Sequence, residues 1–230
     1  MNKKSLVDQS MFASYFKVGT WTGLSRVFGL LRDITTTALL GSSMLHDIFV
    51  VVLKIPNVFR RFFAEGAFSQ AFIPIYSEYQ EHKTTEEIKD FIDSLAGTLL
   101  AILFIFTIVA LLFAPVFIFI FAPGFYYDPV KKDIAVDVLR IMFPYLGLIS
   151  LVAFAGGIQN SHQKYSLPAA TPIVFNVCII LSAFVLAPLF SIPIIGLAWG
   201  VLLAGFIQLL IQLAPLSQIN RLPVPKIDFN

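Results

Sequence analysis

The residues able to do chemistry lie in one stretch, Ser25 to Tyr79, where Arg26, Arg32, Lys54, Arg60 and Arg61 interrupt sequence as apolar as a membrane span. A cation at the centre of a bilayer costs roughly 2.5–3.5 kcal/mol on insertion scales, so it is kept only where it faces an interior with a partner. The nearby acids Asp33, Asp47 and Glu65 are too few to neutralise the set, and the surplus implies an anion from outside the chain. A guanidinium is planar, permanently charged and able to grip two phosphate oxygens at once. Arginines on adjacent interrupted helices therefore suit a phosphate or diphosphate. Arg26, Arg32 and Arg60 are the expected anion ligands because of their depth. For Lys54 and Arg61, snorkelling to the interface or pairing with the acids is an equal alternative.

Other polar residues have a supporting part. Asp47 and Glu65 suit helix capping or neutralisation of the arginines more than proton or ion coupling. Asn57 lies on the break made by Pro56, and Asn176, inside an apolar run, either lines a cavity or bonds one helix to another. His46, His82 and His162 are far apart in loops and form no metal-ligand pattern. No P-loop, nucleophile elbow or catalytic carboxylate pair is present, so neither an enzyme nor a bound cofactor is expected, and transport would not be driven by ATP hydrolysis on this chain. The single Cys178 excludes an internal disulfide. A net charge of +2, without a basic run, gives no case for nucleic acid.

The elements that must position these groups are membrane helices. Of 230 residues, 57% are hydrophobic and 13% charged, against about 25% charged in soluble domains; lipid is the expected solvent. An all-α membrane protein with six transmembrane spans is predicted, near residues 11–40, 48–79, 94–122, 134–160, 169–188 and 194–216. Residues 1–10 read as a cytoplasmic tail, 11–220 as the six-helix body, and 221–230 as the start of a linker. The first two spans are expected to be bent or broken, at Gly29 in the first and at Pro56, Gly66 and Pro74 in the second. Such interruptions at membrane depth mark transporter binding sites. Asp47 is expected to cap the second span, and Pro144 with Gly156–Gly157 to break the fourth. Lys3, Lys4, Lys83, Lys89, Lys164, Arg221 and Lys226 fall on the N-terminal side of the membrane, which places that side in the cytoplasm.

Five stretches of sequence carry a resemblance: SRVFGLLRD, then GSSMLHDIFVVVLKIPNVFRRFFAEGAFSQAFIPIYSEY, then APGF, FPYLGLISL and LPAATPIVFN. On these the chain resembles the MurJ/MviN family, the bacterial lipid II flippases of the multidrug/oligosaccharidyl-lipid/polysaccharide exporter (MOP) superfamily. The resemblance implies a V-shaped transporter of two six-helix lobes plus further C-terminal helices. Such a protein moves undecaprenyl-diphosphate-linked peptidoglycan precursor across the bacterial inner membrane by alternating access, for cell wall synthesis and cell shape. It also implies a cationic cavity in which Arg26, Arg32 and Arg60 act, with Asp47 opening the second span. The chain stops after six spans. It is therefore expected to be the N-terminal lobe alone, as a fragment, a truncated gene product or a half that pairs with a missing C-terminal lobe in cis or trans. Two alternatives stand beside this: an exporter of another polyprenyl-diphosphate-linked glycan, and a non-transporting membrane scaffold for cell-wall enzymes.

Overall fold

The structure is a computed structural model that describes the backbone of residues 3–62 and 67–226 and the side chains of 18–62 and 71–226. The expectation for Glu65 lies outside the described residues. The first helix, α1 (Lys3–Leu40), runs without interruption through Gly29. It ends at Gly41, whose φ of +64° is the left-handed geometry that glycine adopts without strain, and whose N–H donates to Thr37 O at 2.8 Å. Helix α2 (Met44–Arg60) begins at Ser43 in extended geometry. The capping position is thus Ser43 and not Asp47, which falls in the first turn, where its charge favours the helix dipole.

Pro56 lies inside α2 without ending it. A wider π-type turn follows at Arg61 and Phe62, and α3 (Ala67–His82), with Pro74 inside it, takes up the chain beyond. Helix α4 (Thr85–Leu112) starts with a reciprocal cap: Thr84 Oγ1 accepts from Glu87 N–H, and Glu87 Oε2 accepts from Thr84 N–H at 2.8 Å. Then come α5 (Ala114–Phe121), α6 (Pro123–Tyr126), α7 (Pro129–Met142), α8 (Tyr145–Ser161), α9 (Ser166–Val185) and α10 (Pro193–Gln218). The break expected at Pro144 falls between α7 and α8. The one expected at Gly156–Gly157 does not occur, because α8 passes straight through both glycines. Their smallness serves packing: a Cβ on Gly157 would stand 3.3 Å from the Phe72 ring.

Helices α8 and α10 form the centre. α10 packs on α7, α8 and α9, α1 lies along α9, and α2, α3 and α4 all reach α8. Among the described residues four helical segments are long and apolar enough to cross a membrane: 85–112, 129–161, 166–189 and 193–218. Their outward faces carry large exposed apolar side chains such as Leu112, Phe184 and Leu210. Apolar patches of that extent are stable against lipid and not against water.

Without a hydrophobic drive between helices in lipid, close approach must come from small residues. Gly196 and Gly200, four apart on α10, supply it. Ser182 Oγ donates to Gly196 O at 2.7 Å, and a Cβ on Gly196 would lie about 2.5 Å from the Ala187 backbone. After α10, residues 221–226 lie as a strap on the start of α4. Val224 N–H donates to the buried Asp93 carboxylate at 2.8 Å, Lys226 N–H donates to Asp93 O at 3.0 Å, and Lys226 Nζ reaches Asp90 at 2.6 Å. Gly97 leaves room for the Lys226 carbonyl.

Because backbone and not a movable side chain opposes Gly196, Gly196→Val should destabilise the helical body by about 1–3 kcal/mol, the usual cost of overpacking. Thermal unfolding in detergent checks this; an unchanged midpoint would mean that α10 does not depend on that contact.

Candidate functional site

A cavity of about 920 Å³ opens among α1, α2, α3, α8, α9 and α10. Four cations line it: Arg32 from α1, Lys54 and Arg60 from α2, and Arg61 just beyond. No carboxylate is among its lining residues within the described part of the chain. The end of α2 is held in place by an aromatic cluster. Phe59, the residue before Arg60, meets the rings of Phe106, Phe117 and Phe121 edge-on at 5.2, 5.8 and 6.0 Å. Edge-to-face pairs of this kind add to simple burial, and they fix the helix end from which Arg60 and Arg61 project. Pro56 is buried about one turn before the end of α2, and on the cavity side Asn57 Nδ2 donates back to Leu53 O at 2.9 Å.

Arg32 is tied at both ends of its guanidinium. Its Nε and Nη2 donate to Asp33 Oδ1 at 3.0 and 2.7 Å, and Nη1 donates to Asn176 Oδ1 at 3.1 Å. Asn176, 5% exposed on α9, is itself fixed by donating from Nδ2 to Ser25 O at 3.3 Å. Gly29 leaves the space for that amide. Both readings of Asn176 are thus realised together: it lines the cavity and joins α9 to α1. Asp33 is 63% exposed, so its pairing with Arg32 is only a weak neutralisation.

The other sequence-selected residues distribute plainly. Lys54 and Arg61 are exposed to the cavity and have no ion-pair partner among the described residues. Arg60 is half-buried on its wall. Arg26 is exposed on α1 and is not among the lining residues, so the three expected anion ligands are not brought together: Arg32 and Arg60 share the cavity, Arg26 does not. Asp47 is exposed in the first turn of α2, away from the cavity.

What escaped the sequence is a neutral polar wall. Thr171 on α9, Gln208 and Gln212 on α10 and Asn160 on α8 also line the cavity. Gln208 Nε2 donates to Thr171 O at 2.9 Å, Gln212 Nε2 to Thr171 Oγ1 at 2.7 Å, and Gln159 Nε2 to Gln212 Oε1. A search for charges passes over amides. The available signal was the four-residue spacing of Gln208 and Gln212, which puts both on one face of an otherwise apolar helix.

Apolar outer faces, helices that carry internal prolines and a cation-bearing cavity define an all-α integral membrane protein with the architecture of a transporter. A sequence model of the family described as lipid II flippase MurJ matches residues 36–230, and the chain belongs to that family. It is 40% identical over 220 residues to the probable lipid II flippase MurJ of Buchnera aphidicola subsp. Schizaphis graminum, covering 96% of this chain and 43% of that protein. It is 37% identical over 215 residues to the lipid II flippase MurJ of Burkholderia cenocepacia, covering 94% and 42%. A solved structure of lipid II flippase MurJ in an inward closed conformation superposes with a TM-score of 0.74 at 29% identity, over 93% of this chain and 43% of that one. The chain spans about two fifths of the length of these relatives.

If Asn176 carries the α1–α9 junction through Arg32, the two residues must be coupled. Asn176→Leu should lower stability in detergent by about 0.5–1.5 kcal/mol, and a double-mutant cycle with Arg32→Leu should return a coupling of about 0.5 kcal/mol or more. Strict additivity would show that the bond contributes nothing.

Proposed function

We propose that this chain is the N-terminal part of a lipid II flippase, which carries undecaprenyl-diphosphate-linked peptidoglycan precursor from the cytoplasmic to the outer leaflet of the bacterial inner membrane. The observation that supports it most is the cavity lined by four cations and, among the described residues, by no carboxylate. Such a cavity is costly in lipid unless an anion enters it. Arg32 and Arg60 hold the diphosphate. Lys54 and Arg61 add positive potential at the mouth, Asn176 orients Arg32, and Asn57 keeps the end of α2 in register. Arg26 joins from the surface of α1 once a second lobe closes over it. Asp33, Asp47 and Glu65 offset the charge of the free state. The work is translocation and not catalysis, and the names of the relatives support that.

In this proposal α1 and the α2–α3 pair also cross the membrane, which with the four long apolar segments makes six spans of one lobe, N-terminus in the cytoplasm. Alternating access needs a second lobe moving against the first around the site; the relatives' greater length supplies the chain for it.

A chimera tests this directly, with this chain replacing the matching segment of the Burkholderia cenocepacia relative. It should support growth of cells depleted of their own flippase. Arg32→Ala or Arg60→Ala should each remove about 1.5–3 kcal/mol of charge-assisted binding, roughly a ten- to hundred-fold loss of transport at low substrate, and lysine should restore it only in part where the contact is bidentate. Full activity in the double alanine variant would overturn the assignment. Dispensable arginines beside indispensable loops would instead favour the scaffold alternative.

A further inference from the structure

The chain after α10 is shaped to leave that helix and lie across another. Asn220, at φ +55°, takes the left-handed geometry that asparagine tolerates. Arg221 N–H donates back to Leu216 O at 2.9 Å and Asn220 N–H to Ser217 O at 3.1 Å, which closes α10 and turns the backbone away. Pro223 and Pro225 then carry no N–H and push Leu222 and Val224 toward extended geometry. Between the two prolines Val224 has the one N–H, and it is spent on the Asp93 carboxylate at 2.8 Å. Lys226 N–H closes on Asp93 O at 3.0 Å, beside the space left by Gly97. Arg221 Nη1 on Thr85 O and Lys226 Nζ on Asp90 hold the two ends of the strap.

The attachment is polar and easily reversed. Leu222, Val224, Pro225 and Lys226 stay exposed, so docking gains little from apolar burial. Arg221 Nε is buried without a partner, a cost borne only by the docked state. Asp93, 3% exposed, is a charge that must be paired to stay buried. In the docked state Val224 N–H and Lys89, one turn before it, share that carboxylate. With the strap withdrawn Lys89 remains beside it and water takes the place of Val224. Neither state leaves an orphaned charge, and a segment held by a few hydrogen bonds opens well before the body unfolds.

We propose that residues 221–226 are a releasable latch and that Asp93 is its catch. Docked, the latch ties the end of α10 to the start of α4, where Leu216 shares a buried cluster with Ile88 and Ile92. Released, it lets those two helix ends separate while the rest of the bundle stays folded. None of its residues lines the cation-bearing cavity, so the device is independent of the anion site, but α10 is one wall of that cavity. A latch on its end therefore acts on the shape of the site from a distance.

Hydrogen exchange of the purified 230-residue chain, resolved to single amides, reads the latch directly. Val224 and Lys226 should exchange about ten- to hundred-fold more slowly than in a free peptide, the protection expected of a few bonds to a charged group. Buried α10 amides should exchange at least a further hundred-fold more slowly. Asp93→Ala should return Lys226 to within a few-fold of the free-peptide rate and leave the α10 amides unchanged; Asp93→Asn, which keeps an acceptor, should lose less. Val224→Pro deletes the docking N–H without touching α4, so the test stands even if Asp93→Ala fails to fold. Spin labels at Glu86 and Gln218, in a Cys178→Ser background, should give one narrow distance that broadens to longer values in Val224→Pro. Exchange of the strap in step with the α10 amides, free-peptide exchange in the wild type, protection unmoved by both Asp93→Ala and Val224→Pro, or an unchanged spin-label distance would each overturn the latch.

Discussion

Everything in this fold answers to the cost of holding fixed positive charge inside a body whose outer surface faces lipid. Arg32, Lys54, Arg60 and Arg61 cannot be shed into water as they could on a soluble protein, and burying them unpaired is worse than leaving them out. The structure meets the constraint in two ways. Arg32 is partly compensated within the chain by Asp33 and Asn176. Lys54 and Arg61 are kept on a cavity large enough for water or ligand. What remains is a positive potential confined to one place, and that is what a permanently charged, doubly anionic ligand recognises.

Holding charge at such a place demands rigidity elsewhere. The Phe59 cluster fixes the end of α2, and the Asn176 bridge fixes α1 against α9. Gly196 and Gly200 let α10 approach its neighbours closely enough for dispersion and a serine-to-carbonyl bond to hold the bundle where no hydrophobic force acts between helices. The abundant phenylalanines, 24 in the chain, thus have two separate jobs. Some, such as Phe59 and Phe143, brace the cavity from behind, and others, such as Phe104 and Phe184, meet lipid.

Most of this architecture was legible in the sequence because membrane helices announce themselves by long uncharged runs, and because arginine in such a run is rare enough to mark a site. The cavity placement of Arg32, Lys54, Asn57, Arg60, Arg61 and Asn176 could be approached from depth and from the breaks around them. Arg26 shows the limit of that logic. Depth along a helix does not say which way a side chain faces, and six residues turn it well away from Arg32. Ser43 in place of Asp47 as the cap, and an unbroken helix at Gly156–Gly157, show that proline and glycine mark possible breaks that packing then decides. The amide wall was not legible, since its hydrogen-bond network is a property of the assembled helices and not of any local pattern.

The central claim is that the cavity cations bind a lipid diphosphate. The most direct test is equilibrium binding of a polyprenyl diphosphate and of the matching polyprenol to the purified chain, measured across salt concentrations. The account predicts selective binding of the diphosphate, weakening as salt rises and lost in an Arg32→Ala/Arg60→Ala double variant that remains folded. Equal binding of both lipids, or diphosphate binding indifferent to the two arginines, would contradict it.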